Sequence, residues 1–199
     1  MSIRRKLNLG YIAIGIIFLM SIGFATVQFF RIGDEVSNAV DVQMAQIQRI
    51  NDIQQNLLSQ GNKVRAFTTD SSQKNLDSLT EYTNNLTLLI DEVQKENTLK
   101  DTNNLIKNLI DQSEILQTQI DNIVSNVQDR NVPAALSIVN SDYNYTSNYT
   151  HELTEKVEAL ETTQLDKMVN ATKSRITLAT IVSIISSLST SKSVSKKMP

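Results

Sequence analysis

An uncharged segment of 24 residues at positions 7–30 constrains this chain more than any other feature. A helix of about 20 apolar residues crosses the roughly 30 Å hydrocarbon core of a bilayer. Arg4, Arg5 and Lys6 precede the segment and Arg31 follows it. A cleaved signal peptide is the competing interpretation, but its apolar core is usually about 7–15 residues and ends at a small-residue cleavage site. We therefore predict an uncleaved transmembrane helix over residues 7–30.

Charge is distributed unevenly along the chain. All 21 acidic residues lie between Arg31 and Arg175, whereas the two ends carry only basic side chains. Lys and Arg next to a span stay on the cytoplasmic side, so we expect cytoplasmic tails over 1–6 and 192–199 and an extracytoplasmic domain over 31–175. The acidic segment has no basic stripe, which argues against nucleic acid as a partner.

Apolar and small polar residues recur at steps of three and four through the acidic segment, which is typical of the buried seam of a helical bundle. In its second half the stripe consists of Leu99, Thr102, Ile106, Leu109, Ser113, Leu116, Ile120, Ile123 and Val127, then Leu136, Val139, Tyr143, Thr146, Thr150, Leu153, Val157 and Leu160. A looser stripe runs through the first half. This spacing predicts an all-α domain.

Three turn-forming sequences divide the segment into helices over 32–69, 72–96, 98–130 and 133–175. They are TTDSS at 68–72, ENT at 96–98 and DRNVP at 129–133. Asp, Ser and Asn there are expected N-caps, and Pro133 is expected in the first turn of the last helix. Short links make consecutive helices antiparallel. The predicted fold is a long up-down-up-down four-helix bundle between two transmembrane helices.

The second span is predicted over residues 176–191. Half of these 16 uncharged residues are Ser or Thr, and as a helix they extend about 24 Å. The first three predicted helices make a net ascent that the fourth reverses to within roughly 5 Å, so the chain returns to the membrane where this segment begins. The alternative is an external tail on a bundle anchored only once.

The layout resembles bacterial methyl-accepting chemotaxis proteins with a four-helix-bundle sensor domain. The resemblance is carried by RRKLNLGYIAIGIIFLM at 4–20, DKMVNATKSRITLATIV at 166–182, and SKSVSKKMP at 191–199, which is similar to the entry of a HAMP linker. Lys197 and Met198 before Pro199 depart from that entry, and the second span is shorter and less apolar than in the family. The resemblance implies a homodimeric receptor in the bacterial cell membrane, of which this chain is the input part.

That resemblance also implies the function. The module would bind a small extracellular ligand, or a binding-protein partner, and transmit a helix displacement across the membrane for chemotaxis. The alternatives are the sensor of a histidine kinase or cyclase, and a membrane-anchored structural or adaptor protein. The chain has no Cys, one histidine (His151) and no Gly-rich phosphate loop, so we expect no enzyme activity, no metal and no cofactor.

A ligand site is predicted towards the membrane-distal end of the bundle. Counting residues along antiparallel helices brings the first and fourth helices to one level there, where Gly61 and Ser113 interrupt the apolar seam. The candidate site residues are Arg65, Lys63, Tyr143, Tyr145, Thr146 and Thr150. An arginine fork suits a carboxylate, and in the aspartate- and serine-sensing relatives amino acids bind at a similar level. The alternative is that these polar residues only fix the helix register.

Overall fold

The computed structural model describes the backbone of residues 3–97 and 99–195, and the side chains of 11–97 and 99–181 except positions 13, 14, 17, 21, 25 and 179. Every regular element in these ranges is helical. The helices are α1 (Ile3–Thr69), α2 (Gln73–Glu96), α3 (Asn103–Gln128), α4 (Val132–Ile138) and α5 (Asn144–Ser195). A 3-10 turn at Lys100–Thr102 precedes α3, and a π-helical turn at Val139–Tyr143 joins α4 to α5. The fold is therefore an all-α bundle of four helices, as the spacing predicted.

The chain divides into two compact units, residues 42–165 and residues 1–41 with 166–199. The first unit is the bundle. In the second, large apolar side chains of α1 lie exposed, among them Leu19, Phe24 and Phe30. The segments predicted to span a membrane, 7–30 and 176–191, are helical parts of α1 and α5. Among the described residues, no helix is long and apolar enough to cross a membrane. Residues 196–199 of the predicted linker lie outside the described residues.

Hydrogen bonds between helices fix the arrangement of the bundle. On α1, Gln46 pairs with the Val93 carbonyl and Gln60 with Thr83, so α2 runs antiparallel to α1. The Gln54 amide donates to Glu158 of α5, and Gln119 of α3 donates to Thr146, which is also on α5. Since α2 and α3 also pack against each other, each helix packs beside its neighbour in the sequence, and the fourth returns to the first.

The predicted seam matches the core over most of its length. Buried apolar residues include Ile50, Leu57 and Val64 on α1, Leu79, Leu86 and Val93 on α2, Ile106, Leu109, Leu116, Ile120, Ile123 and Val127 on α3, and Leu153 and Val157 on α5. Burial of such side chains stabilises a fold by about 1.5–3 kcal/mol each. This periodic burial accounts for the helices without any strong helix-capping sequence.

The fourth helical rod of the bundle consists of α4, the π-helical turn and α5. The seam prediction is wrong at both ends of its predicted stripe. Leu136 and Leu160 are exposed, and Ala135 and Glu161 are buried in their place. The π-helical turn adds about one residue to a helical repeat, which rotates the preceding turn and moves Ala135 to the core side. At the other end, Glu161 lies eleven residues after the buried Thr150, which is about three turns of a straight helix with 3.6 residues per turn, so it returns to the buried face.

The link between α1 and α2 is held by Asp70. Its carboxylate accepts the Ser72 N–H at 3.2 Å and the Ser72 hydroxyl at 3.1 Å, and the Asn75 amide donates to its carbonyl at 2.8 Å. Ser72 is the N-cap residue, as predicted, but its side chain makes no capping hydrogen bond. The local order comes from the aspartate instead.

The other two links also differ in detail from the prediction. The third helix begins later than expected, at Asn103, because Asn97 accepts hydrogen bonds from Leu99 N–H and Thr102 Oγ1 and stabilises the 3-10 turn. Thr98, an expected cap, lies outside the described residues. Asn131 is the N-cap of α4 without a side-chain capping bond, and Pro133 lies in its first turn as predicted.

Candidate functional site

A buried network of hydrogen bonds crosses the bundle near the end of α1 and connects α1, α2 and the fourth helical rod. Tyr143, in the π-helical turn, is only 1% exposed. Its hydroxyl donates to Gln60 Oε1 at 3.1 Å, and Gln60 Nε2 donates to Thr83 Oγ1 at 3.2 Å. The Thr83 hydroxyl in turn donates to the Leu79 carbonyl at 2.8 Å. Each polar group named in this network has a hydrogen-bond partner, so the layer is rigid as well as polar.

Arg65 lies beside this network on the solvent side. Its Nη2 donates to Asn144 Oδ1 at 2.9 Å, and the guanidinium is exposed. A Cβ atom at Gly61 would lie 3.6 Å from Arg65 Nη1 and 3.8 Å from the Tyr143 hydroxyl oxygen. The two predicted site residues therefore flank the same glycine. Since a guanidinium has five N–H donors, Arg65 can bind an anion with donors that Asn144 does not use.

The tyrosine stays neutral in this setting. Burial raises the pKa of Tyr143 well above its usual range, while the Arg65 charge and a hydrogen bond with Ser147 act in the opposite direction and have smaller effects. A neutral phenol keeps its proton and donates to Gln60. Positive charge in the site is therefore left on the arginine, which favours a ligand with a carboxylate or another anionic group.

The remaining predicted residues lie in three different settings. Thr146 and Thr150 are buried along α5. The Thr146 hydroxyl accepts the Gln119 amide at 3.0 Å, and the Thr150 hydroxyl donates to the Thr146 carbonyl at 2.7 Å. Lys63 is half-buried on α1, and Tyr145 is 74% exposed. The structure thus brings Arg65 and Tyr143 together, places the two threonines in the helix contacts below them, and directs Tyr145 to solvent.

The π-helical turn explains how neighbouring residues serve both sides of this site. It ends at Tyr143, which points into the core, and the next residue, Asn144, reaches Arg65. Within the turn, the Ser141 hydroxyl donates to the Ser137 carbonyl at 2.7 Å. Single π-helical turns interrupt the regular α-helical hydrogen bonding and are frequent at functional sites. The turn is thus an irregular segment between α4 and α5 that positions Tyr143 and Asn144.

Sequence reasoning missed Gln60 and Asn144. A spacing of seven could have identified Gln60, because Gln46, Ile53, Gln60 and Phe67 share one face of α1 and are all buried. Nothing in the apolar spacing indicates Asn144, because its position depends on the π-helical turn. Ser113, which was assigned to the same polar layer, instead lines a groove of about 310 Å³ between α2 and α3. Asp91 and Glu114 also line this groove, so it does not suit an anion.

No protein-family model, curated protein or solved structure matches this chain.

Proposed function

We propose that this chain is the sensory input module of a transmembrane receptor similar to the methyl-accepting chemotaxis proteins. The bundle lies outside the cell, residues 7–30 and 176–191 cross the bacterial cell membrane, and a small carboxylate-bearing ligand binds at Arg65. The module has no catalytic role and uses no cofactor, and it works as a homodimer, as the resemblance implies. A histidine kinase or cyclase sensor would share this input mechanism.

The observation that supports this proposal most is the polar connection between α1 and α5 around Gly61. Gln60 of α1 bonds to Tyr143, the last residue of the π-helical turn, and Arg65 of α1 bonds to Asn144, the first residue of α5. The two proposed spans are also parts of α1 and α5. An anion at Arg65 competes with the Asn144 amide oxygen for the guanidinium. Ligand binding therefore changes the contact between the rods that lead to the membrane, and small helix displacements are a known form of signal transmission.

The exposed apolar side chains of α1 support the membrane location. Contiguous exposed apolar surface is uncommon on soluble monomers and marks interaction with a protein or a membrane. The exposed residues between positions 11 and 30 include Tyr11, Ile12, Ile16, Phe18, Leu19, Met20, Ile22, Phe24, Val27 and Phe30. At about 100° per residue they cover roughly two thirds of the helix circumference, as expected for a lipid-facing segment.

Membrane topology can be tested directly because the chain contains no cysteine. We expect Ser37→Cys to react with a membrane-impermeant thiol reagent on intact cells and Ser195→Cys to react only after the cells are opened. Ser37 precedes the bundle and Ser195 follows the second proposed span. Labelling of both residues on intact cells would show that 176–191 stays outside, which leaves a bundle that is anchored once and cannot transmit inward. Labelling of neither would contradict the external location of the bundle.

Ligand binding at Arg65 is tested with a panel of small carboxylic and amino acids by calorimetry on the purified chain. For the acid that binds, we expect Arg65→Ala to weaken binding by about 10- to 100-fold, the effect of losing a charged hydrogen-bonding partner. Arg65→Lys should recover little, because lysine keeps the charge but lacks the planar fork. Lys107→Ala, at an exposed lysine on α3, should bind normally. Unchanged binding by Arg65→Ala would place the pocket elsewhere.

A further inference from the structure

A buried carboxylate joins α1 and α5 at the opposite end of the bundle from Arg65. Glu161 is 2% exposed and Gln43, its partner on α1, is 4% exposed. The Gln43 amide donates to the Glu161 carboxylate and approaches the Glu161 carbonyl oxygen at 3.3 Å. Charged side chains are almost never fully buried unless they are paired with an opposite charge, and here the partner is a neutral amide. This contact has no role in the ligand site.

The layer around Glu161 also lacks one hydrogen-bond donor. Gln46, one turn further along α1, is 2% exposed and donates to the Val93 carbonyl at 3.2 Å. Its amide oxygen is buried and has no hydrogen-bond partner among the described residues. An ionised carboxylate only accepts hydrogen bonds, so it cannot supply the missing donor. A protonated carboxyl group carries one O–H donor.

Among the described residues of the bundle, no basic side chain pairs with Glu161. Arg49, the closest basic residue along α1, pairs with Glu96 at 2.6 Å and with Glu92 at 3.4 Å. The charged groups on the turns around this layer are exposed or half-buried, namely Asp41 and Arg49 on α1, Glu92, Lys95 and Glu96 on α2, Lys100 and Asp101 in the 3-10 turn, Lys107 on α3, and Glu158 on α5. Burial without compensation raises the pKa of Glu161 to about 6.

We propose that the bundle has a second input, the proton, which binds Glu161 and changes the hydrogen bonds between α1 and α5. In the ionised form the carboxylate holds the Gln43 amide. In the protonated form the carboxyl group carries an O–H donor and no charge, so its contact with the Gln43 amide changes and the two rods repack around it. Gln43, the partner of Glu161, precedes Arg65 by 22 residues, which is about 33 Å along α1. This input is therefore independent of the ligand site and of whether a ligand binds there.

The test measures the separation of the two rods as a function of pH. The full chain in detergent carries spin labels at Met44→Cys and Thr162→Cys, exposed positions beside Gln43 and Glu161, and dipolar broadening reports their distance from pH 8 to pH 5. We expect a change of about 1–2 Å, the size of helix shifts in switching proteins, with a midpoint near pH 6. Glu161→Gln should show the acid-state distance at every pH, since its neutral amide also provides a donor. Spectra that do not change with pH in the unmodified sequence would overturn the proposal.

Two further variants exclude other titrating groups. His151, which pairs with Glu155 at 3.7 Å, is the single histidine of the sequence, and His151→Gln should keep the transition if Glu161 is responsible. Glu158→Gln changes a similar glutamine–glutamate contact between the same rods, Gln54 with Glu158 at 3.0 Å, but one that is only partly buried. It should keep the transition as well. Loss of the transition in either variant, or its persistence in Glu161→Gln, would assign the effect to another group.

Discussion

Truncation of Tyr143 to alanine is expected to lower the free energy of unfolding of the bundle by about 3–5 kcal/mol, the usual cost of removing a buried aromatic side chain. The same truncation at Tyr145 should change it by less than about 0.5 kcal/mol, as for an ordinary surface position. The two tyrosines are separated by one residue, yet Tyr143 is buried against α1 and Tyr145 is 74% exposed. Urea unfolding followed by circular dichroism measures both values.

Tyr143→Phe separates the packing of the ring from the hydrogen bond of its hydroxyl. Phenylalanine fills nearly the same volume but leaves Gln60 Oε1 without the donor that Tyr143 supplies at 3.1 Å. An unsatisfied buried acceptor costs about 1–3 kcal/mol, so this variant should lie between the unmodified chain and Tyr143→Ala. Equal effects of alanine at positions 143 and 145 would contradict the buried layer. A neutral Tyr143→Phe would show that the layer is held by packing alone.

The polar layer is consistent with both interpretations of its role, a device that fixes the helix register and a part of a ligand site. As a register device, the Tyr143–Gln60–Thr83 chain allows one alignment of three rods, because each member loses its partner if a rod slips by a turn. As part of a ligand site, it gives Arg65 a rigid floor. These roles are compatible, since a site that transmits a small displacement needs a defined starting register. The ligand measurement on Arg65→Ala and the stability measurement on Tyr143→Phe therefore probe different properties of one site.

The sequence predicted the helices well because their burial is periodic. Residues such as Leu109, Leu116 and Ile123 recur every seven positions and are buried as expected. The approach of Arg65 to Tyr143 could also be predicted, because antiparallel helices joined by short links have a fixed rise per residue and so a calculable level. These two inferences need only helix geometry and the positions of the links.

Other features depend on local departures from that geometry. The π-helical turn at Val139–Tyr143 has no counterpart in the apolar spacing, and without it neither the Asn144 contact with Arg65 nor the burial of Ala135 can be derived. Glu161 was missed for another reason. Glutamates on a helical bundle are ordinarily exposed, and Leu160 beside it fitted the seven-residue repeat better, so the repeat selected the wrong neighbour.

Glu161→Gln is expected to raise the free energy of unfolding by about 2 kcal/mol at pH 7.5 and to leave it nearly unchanged at pH 4. In the folded chain burial raises the pKa of Glu161 from 4.5 to about 6. Below about pH 4.5 the carboxyl group is neutral in the folded and unfolded states alike, and its burial carries no charge penalty. As the pH rises from about 4.5 to 6, the unfolded chain releases this proton while the folded state keeps it, and above pH 6 the folded state buries the charge. Stability due to this group is therefore lost with rising pH, by about 1.4 kcal/mol for each unit of pKa difference.

The difference in unfolding free energy between Glu161→Gln and the unmodified chain isolates this group, because every other carboxylate is present in both. Chemical unfolding at a series of pH values should give curves that coincide at pH 4, separate between about pH 4.5 and 6, and run parallel above that range. Glu158→Gln, at the partly buried glutamate beside Gln54, should stay within about 0.5 kcal/mol of the unmodified chain throughout. A glutamine at position 161 that destabilises the bundle at pH 7.5 would mean that the Gln43 amide compensates the buried charge fully. In that case the carboxylate would be a structural lock between α1 and α5 rather than a proton-binding group.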